Sequence, residues 1–182
     1  MDTLDIKDEA SIKLALLGSL DILGLVAKFS LGKGTPYLLE SLFIRLRHLA
    51  YYFSEDSSPL IQYEDKLNDN ERSILERIVN VRIASAHPEA DQHWLDEHFM
   101  ISGGMNFKDE DVEIQYGSNK LFLIKEVIFI YKKLRELFSQ ASELPRLAQH
   151  PSWEHQEQEL ADIEKELVDL LKNPEQLLRD RF

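Results

Sequence analysis

Between Asp8 and Phe29, apolar residues recur at helical spacing along one stripe (Ile12, Leu16, Leu17, Leu20, Leu23, Ala27), with a second set around Ile22, Leu25 and Val26. A helix that is apolar on more than one face loses too much by facing water, so it must lie centrally with other elements around it. Its most apolar part, Leu14 to Ala27, is interrupted by Asp21 and flanked by Lys13 and Lys28, which marks it as a core helix rather than a membrane span. Everything else in the chain has to supply the surfaces that cover it.

Three further long segments have the pattern to do so. Thr35-Pro36, an N-cap residue followed by proline at the first helical position, opens a second helix to about Phe53, with Leu38, Leu39, Leu42, Leu46 and Leu49 inward. Asn68 and Glu71 have the spacing of a capping box and open a third helix, with Ile74, Ile78 and Val81 on one stripe and Leu75, Val79 and Ala86 beside it. Pro88 ends that helix near His87, because the residue before proline is pushed out of the helical region. A fourth helix is expected from Asn119 to about Ala141. Its start, Leu121-Phe122-Leu123-Ile124, could pass for a buried strand, but the length of the whole segment favours helix.

Between the third and fourth helices come Gly103-Gly104, an acidic tip at Lys108-Asp109-Glu110-Asp111, and the alternating Val112-Glu113-Ile114-Gln115-Tyr116, which together predict a small β-hairpin. Beyond Pro145 and Pro151, Trp153 to Leu171 places Leu160, Ile163, Leu167 and Leu170 in three- and four-residue steps, an amphipathic helix. The fold class expected is mainly all-α: an up-and-down bundle of four long helices with a β-hairpin insertion and an additional C-terminal helix. The expected division is a bundle over 1–141 and a helical extension over 142–182 packed on the same domain.

The 182 residues are enough for one domain with a substantial core. The absence of cysteine excludes disulfides, thiolate metal sites and a cysteine nucleophile. An acidic start, Asp2 to Asp5, is unlike a secretory signal, so the expected location is the cytoplasm, with no membrane partner. The net charge of −12 argues against broad adhesion to nucleic acid or anionic lipid. Two local basic runs stand against that trend. One is Lys28, Lys33, Arg45 and Arg47 against Glu40. The other is Lys120, Lys125, Lys132, Lys133 and Arg135 against Glu126. Solvated faces explain each run more simply, and Lys33, Arg45 and Arg47 are kept as candidate substrate-binding cations.

One constellation has the composition of a reactive site, Arg82-Ile83-Ala84-Ser85-Ala86-His87 followed by Pro88. RNA can be cleaved through its own 2′-hydroxyl by a group of near-neutral pKa that takes the proton and a cation that holds the phosphate oxygens. Histidine and a forked guanidinium supply these, with no metal and no cofactor. The spacing alone carries no weight, since nine arginines and six histidines give roughly one such match by chance. Its position does, at the end of the third long helix with proline beyond.

That arrangement resembles the HEPN superfamily, over about Asp8 to Ala141 as an order of helices and over Arg82 to Pro88 as its R-x(4–6)-H motif. The resemblance implies a helical bundle, a homodimer with both motifs facing one cleft, and in many members a metal-independent endoribonuclease of toxin–antitoxin or defence systems. Arg82 would then contact the scissile phosphate of an RNA substrate and His87 would transfer protons, and an antitoxin or another protein would be a partner. Active members usually carry Asn, Asp or His after the arginine, where this chain has Ile83. That departure leaves open a catalytically inactive helical module for protein or nucleotide binding and dimerisation, or an unrelated bundle in which Arg82 and His87 only cap a helix.

Weaker patterns have simpler explanations. His93 and Glu97 share a helix face and with His98 could hold a metal only if a further ligand came from elsewhere, so solvated or capping roles are preferred. Gly32-Lys33-Gly34-Thr35 lacks the leading glycine and the strand of a P-loop and is read as a connector whose helix start could receive a phosphate.

Overall fold

The computed structural model describes residues 6–28, 35–54, 66–86, 104–108, 110–116, 119–141 and 152–172. Within them the chain is predominantly helical, with five helices and a small antiparallel sheet. Helix α1 (Ile6–Lys28) buries Ile12, Leu16, Leu20, Leu23, Val26 and Ala27, from both of its apolar sets. By length and composition alone it could cross a membrane. In the fold, half of that apolar stretch is buried against protein. Truncating one of its fully buried leucines to alanine costs about 2–5 kcal/mol in a packed core.

Helix α2 (Thr35–Ser54) packs along α1 and buries Leu39, Leu42, Phe43, Leu46 and Leu49. It starts at Thr35, yet the buried Thr35 hydroxyl has no hydrogen-bond partner among the described residues. The expected side-chain cap is therefore not made, and the proline at the first helical position is left to favour the start. Helix α3 (Asp69–Ala86) packs on α2. Its capping box forms in both directions: the Glu71 amide donates to Asn68 Oδ1 at 3.0 Å and the Asn68 amide donates to Glu71 Oε2 at 2.8 Å. That box satisfies two amides that an uncapped helix start would leave open.

The expected hairpin is present and has a third strand. Strands β1 (Gly104–Lys108), β2 (Asp111–Tyr116) and β3 (Asn119–Phe122) lie in that order, all antiparallel, with Lys108 opposite Asp111 and Ile114 opposite Leu121. The tight β1–β2 turn holds Glu110 at φ 59°, the left-handed backbone that two-residue hairpin loops require. The fourth helix therefore does not begin at Asn119. Residues 119–122 complete the sheet, and the chain then enters a π-helical turn, Leu123–Ile128, that runs directly into α4 (Phe129–Ala141). The apolar run at 121–124 is compatible with either form, and pairing with β2 decides for strand as far as Phe122.

Helix α5 (Ser152–Lys172) lies against α1 and the π turn, adding Leu160, Ile163 and Leu167 to the buried cluster. The Tyr131 hydroxyl on α4 donates to the Leu16 carbonyl of α1 at 3.0 Å, tying two helices far apart in sequence.

Candidate functional site

Arg82 lies on α3 four residues before Ala86, and its side chain, with His87 and Pro88, lies outside the described residues. So do Lys33, the Gly32–Gly34 connector, and the His93, Glu97 and His98 cluster. What is described is how α3 is held. Ile74, Ile78 and Val81 are buried, the first turn is closed by the capping box, and Glu71 lies 3.9 Å from Lys133 of α4. Further along, Arg77 grips Glu126 of the π turn with both guanidinium nitrogens, at 2.6 and 3.0 Å, and donates to the Lys120 carbonyl at 2.7 Å. A bidentate pair of this kind fixes orientation as well as distance. The helix that carries Arg82 is thus registered against β3 and the π turn about one and a half turns before the motif begins.

The π turn is itself held by a carboxylate from the acidic tip of the hairpin. Asp111 is completely buried, and it accepts hydrogen bonds from the amides of Val112 at 2.7 Å, Ile124 at 2.9 Å and Lys125 at 2.9 Å. Glu126 adds a reach-back bond, accepting from the Phe122 amide at 2.8 Å. The amides at the start of this helix are therefore satisfied by side chains, one of them from the sheet.

The two basic runs fare differently. In the second, Lys120 lies 3.5 Å from Glu113, Lys132 pairs with Glu164, Lys133 with Glu71 and Glu136, and the buried Arg135 lies 3.7 Å from Glu157. Lys132, Lys133 and Arg135 thus pair α4 with acids of α3 and α5, and Lys120 pairs across the sheet. In the first, Arg45 and Arg47 sit on α2. The Arg45 guanidinium lies over Gly18 of α1, where a Cβ would come within 2.5 Å of Nη1, so glycine at 18 makes room for it.

Beside Arg45 is a polar network that sequence reasoning missed. Ser11 Oγ and His48 Nε2 are 2.8 Å apart, and the Tyr52 hydroxyl donates to Asp8 Oδ1 at 3.3 Å and also bonds Ser11. The His48 and Tyr52 rings meet edge to face at 5.5 Å. Burial pushes the Tyr52 phenol up from its ordinary value; the Ser11 hydrogen bond opposes this, and the Asp8 carboxylate reinforces it. Ser11, Ser41, Arg45 and His48 border a shallow groove with Leu14, Ala15 and Ile44. No short motif signals the group, because Ser11 and His48 are 37 residues apart and meet only when α1 and α2 pair.

Among the described residues no three His, Asp or Glu side chains gather as a metal site. The chain matches no protein-family model, and comparison with curated proteins and with solved structures likewise returns no match.

Proposed function

We propose that the chain is a HEPN-like protein in which α1 to α4 form an up-and-down bundle and Arg82 and His87, brought together from two copies, cleave single-stranded RNA without metal. The observation that carries this reading is the extent of α3. It runs to Ala86, one residue before His87, with Arg82 four residues before that end. On an unbroken helix, residues five apart diverge by about 140°, and ending the helix ahead of Pro88 frees His87 from that constraint.

In the proposed reaction His87 takes the proton of the 2′-hydroxyl, whose oxygen attacks the adjacent phosphorus. The 5′-oxygen leaves as it takes a proton back from the imidazolium so formed, and a 2′,3′-cyclic phosphate remains. Arg82 holds the non-bridging oxygens as charge builds on them. The protein would act in the cytoplasm, with an antitoxin-like protein as a candidate partner.

His87→Ala and Arg82→Ala should each lower cleavage of single-stranded RNA by ~10²-fold or more, with no effect of chelators. Ile83→Asn should raise activity if the apolar neighbour weakens the site. Wild-type protein that leaves both structured and unstructured RNA intact would overturn the enzymatic reading. The second reading, a catalytically inactive HEPN-like module, would then stand. It is favoured by Ile83 and by the solvent-facing apolar residues on α2.

A further inference from the structure

The outward face of α2 repeats at 3.5 residues, through Tyr37, Ser41, Ile44, His48 and Tyr51. That is the spacing of a helix that packs against another helix. Yet Tyr37 is 75% exposed, Ile44 49% and Tyr51 49%. Measured from Ile44 at 100° per residue, Tyr37 and Tyr51 lie about 20° to either side, Glu40 and Arg47 within about 60° on one edge, and Ser41 and His48 within about 60° on the other. Several of these groups are already held in place. The Tyr51 ring is braced edge to face by Tyr52 at 5.9 Å, and His48 is fixed by Ser11.

We infer that this face is the contact between two copies of the chain, packed antiparallel about a two-fold axis at Ile44. Such an axis reverses the helix direction and keeps each edge on its own side. Ile44 then meets its own copy, and Tyr37 meets Tyr51 of the second copy. Glu40, about 6 Å before Ile44 along the helix, comes opposite Arg47 of the second copy, which lies about 4.5 Å beyond its own Ile44. On the other edge Ser41 comes opposite His48. A parallel alignment would instead set Glu40 beside Ser41 and Arg47 beside His48, so that neither charge meets its opposite, and charge complementarity selects the antiparallel one. Leu14 of α1, exposed beside Ile44 in the groove, extends the apolar patch. A strand of RNA is a poorer occupant, because it would lay phosphates against Glu40. The inference needs no RNA and stands whether or not Arg82 and His87 cleave.

The test is the mass of the full-length protein in solution, by sedimentation and light scattering, without nucleic acid. Wild type should show twice the 21.2 kDa chain mass. Ile44→Asp should weaken self-association by ~100-fold, with the helical spectrum of the resulting monomer unchanged. Glu40→Arg and Arg47→Glu should each weaken it about tenfold, and the two combined should restore it to within a few-fold of wild type, because the pair is then reversed rather than lost. A wild type monomeric at about 100 μM, a dimer indifferent to Ile44→Asp, or a double variant no better than its parents would each overturn the inference. A monomer that binds labelled oligouridine through Arg47 would also overturn it, by assigning the face to RNA.

Discussion

Where α3 meets the sheet, charged groups are enclosed and held. Asp111 is buried with three amides, Glu126 takes both prongs of Arg77, and Glu113 is buried beside Lys120. On the outward face of α2, tyrosines and an isoleucine stand in solvent, with Glu40 and Arg47 at their edge. The first region loses stability if a single polar partner is removed, because a buried donor without an acceptor bears the full desolvation penalty. The second gains little for the isolated chain from any one side chain, so its apolar content calls for a use outside the fold of one copy.

That contrast can be broken by substitution. Asp111→Ala should have the largest effect, ~3 kcal/mol or more in urea unfolding, since three amides lose one fully buried acceptor group together. A loss under about 1 kcal/mol would mean that water or rearranged backbone replaces the carboxylate, and the junction would be no more demanding than the surface. An intermediate effect is expected for the half-buried Arg77–Glu126 pair. A double-mutant cycle with Arg77→Met and Glu126→Gln should give a coupling of about 1–2 kcal/mol, above the usual range for exposed pairs.

The smallest effect belongs to the α1–α2 side. Tyr52→Phe should cost no more than about 1 kcal/mol at neutral pH, through its long bond to Asp8. Its signature is at alkaline pH. The folded chain holds the phenol proton more tightly than the unfolded chain does. As pH climbs past about 10, the unfolded state therefore loses that proton first, and stability falls. Wild type should weaken there and the phenylalanine variant should follow a flatter curve. Parallel curves would detach Tyr52 from that loss.

Much of the helical framework was legible because its signals are local. The Asn68 and Glu71 capping box spans three residues, and each of its two hydrogen bonds is present. The leucine steps of α5 were legible for the same reason. The missed features depend on partners far along the chain. Asp111 reads as the end of an acidic turn until it receives amides 13 and 14 residues ahead. Residues 119–122 read as helix until they pair with β2. Ser11 and His48 have no mutual signal in the sequence. For the motif at Arg82 and His87, the sequence provides the chemistry and the structure describes the helix that leads to it.

The carboxylate of Asp111 joins the first residue of β2 to the opening of the helix that follows β3, so the strand, the return strand and the helix start cannot come apart independently. In native-state hydrogen exchange the amides of Val112, Ile124 and Lys125 should therefore be released in one opening event and share one protection free energy. The hairpin, which as a short isolated unit would fray, then persists for as long as the helix does. In kinetic terms, opening of this junction is a single step, and its rate sets how often the end of the sheet nearest Arg77 becomes accessible.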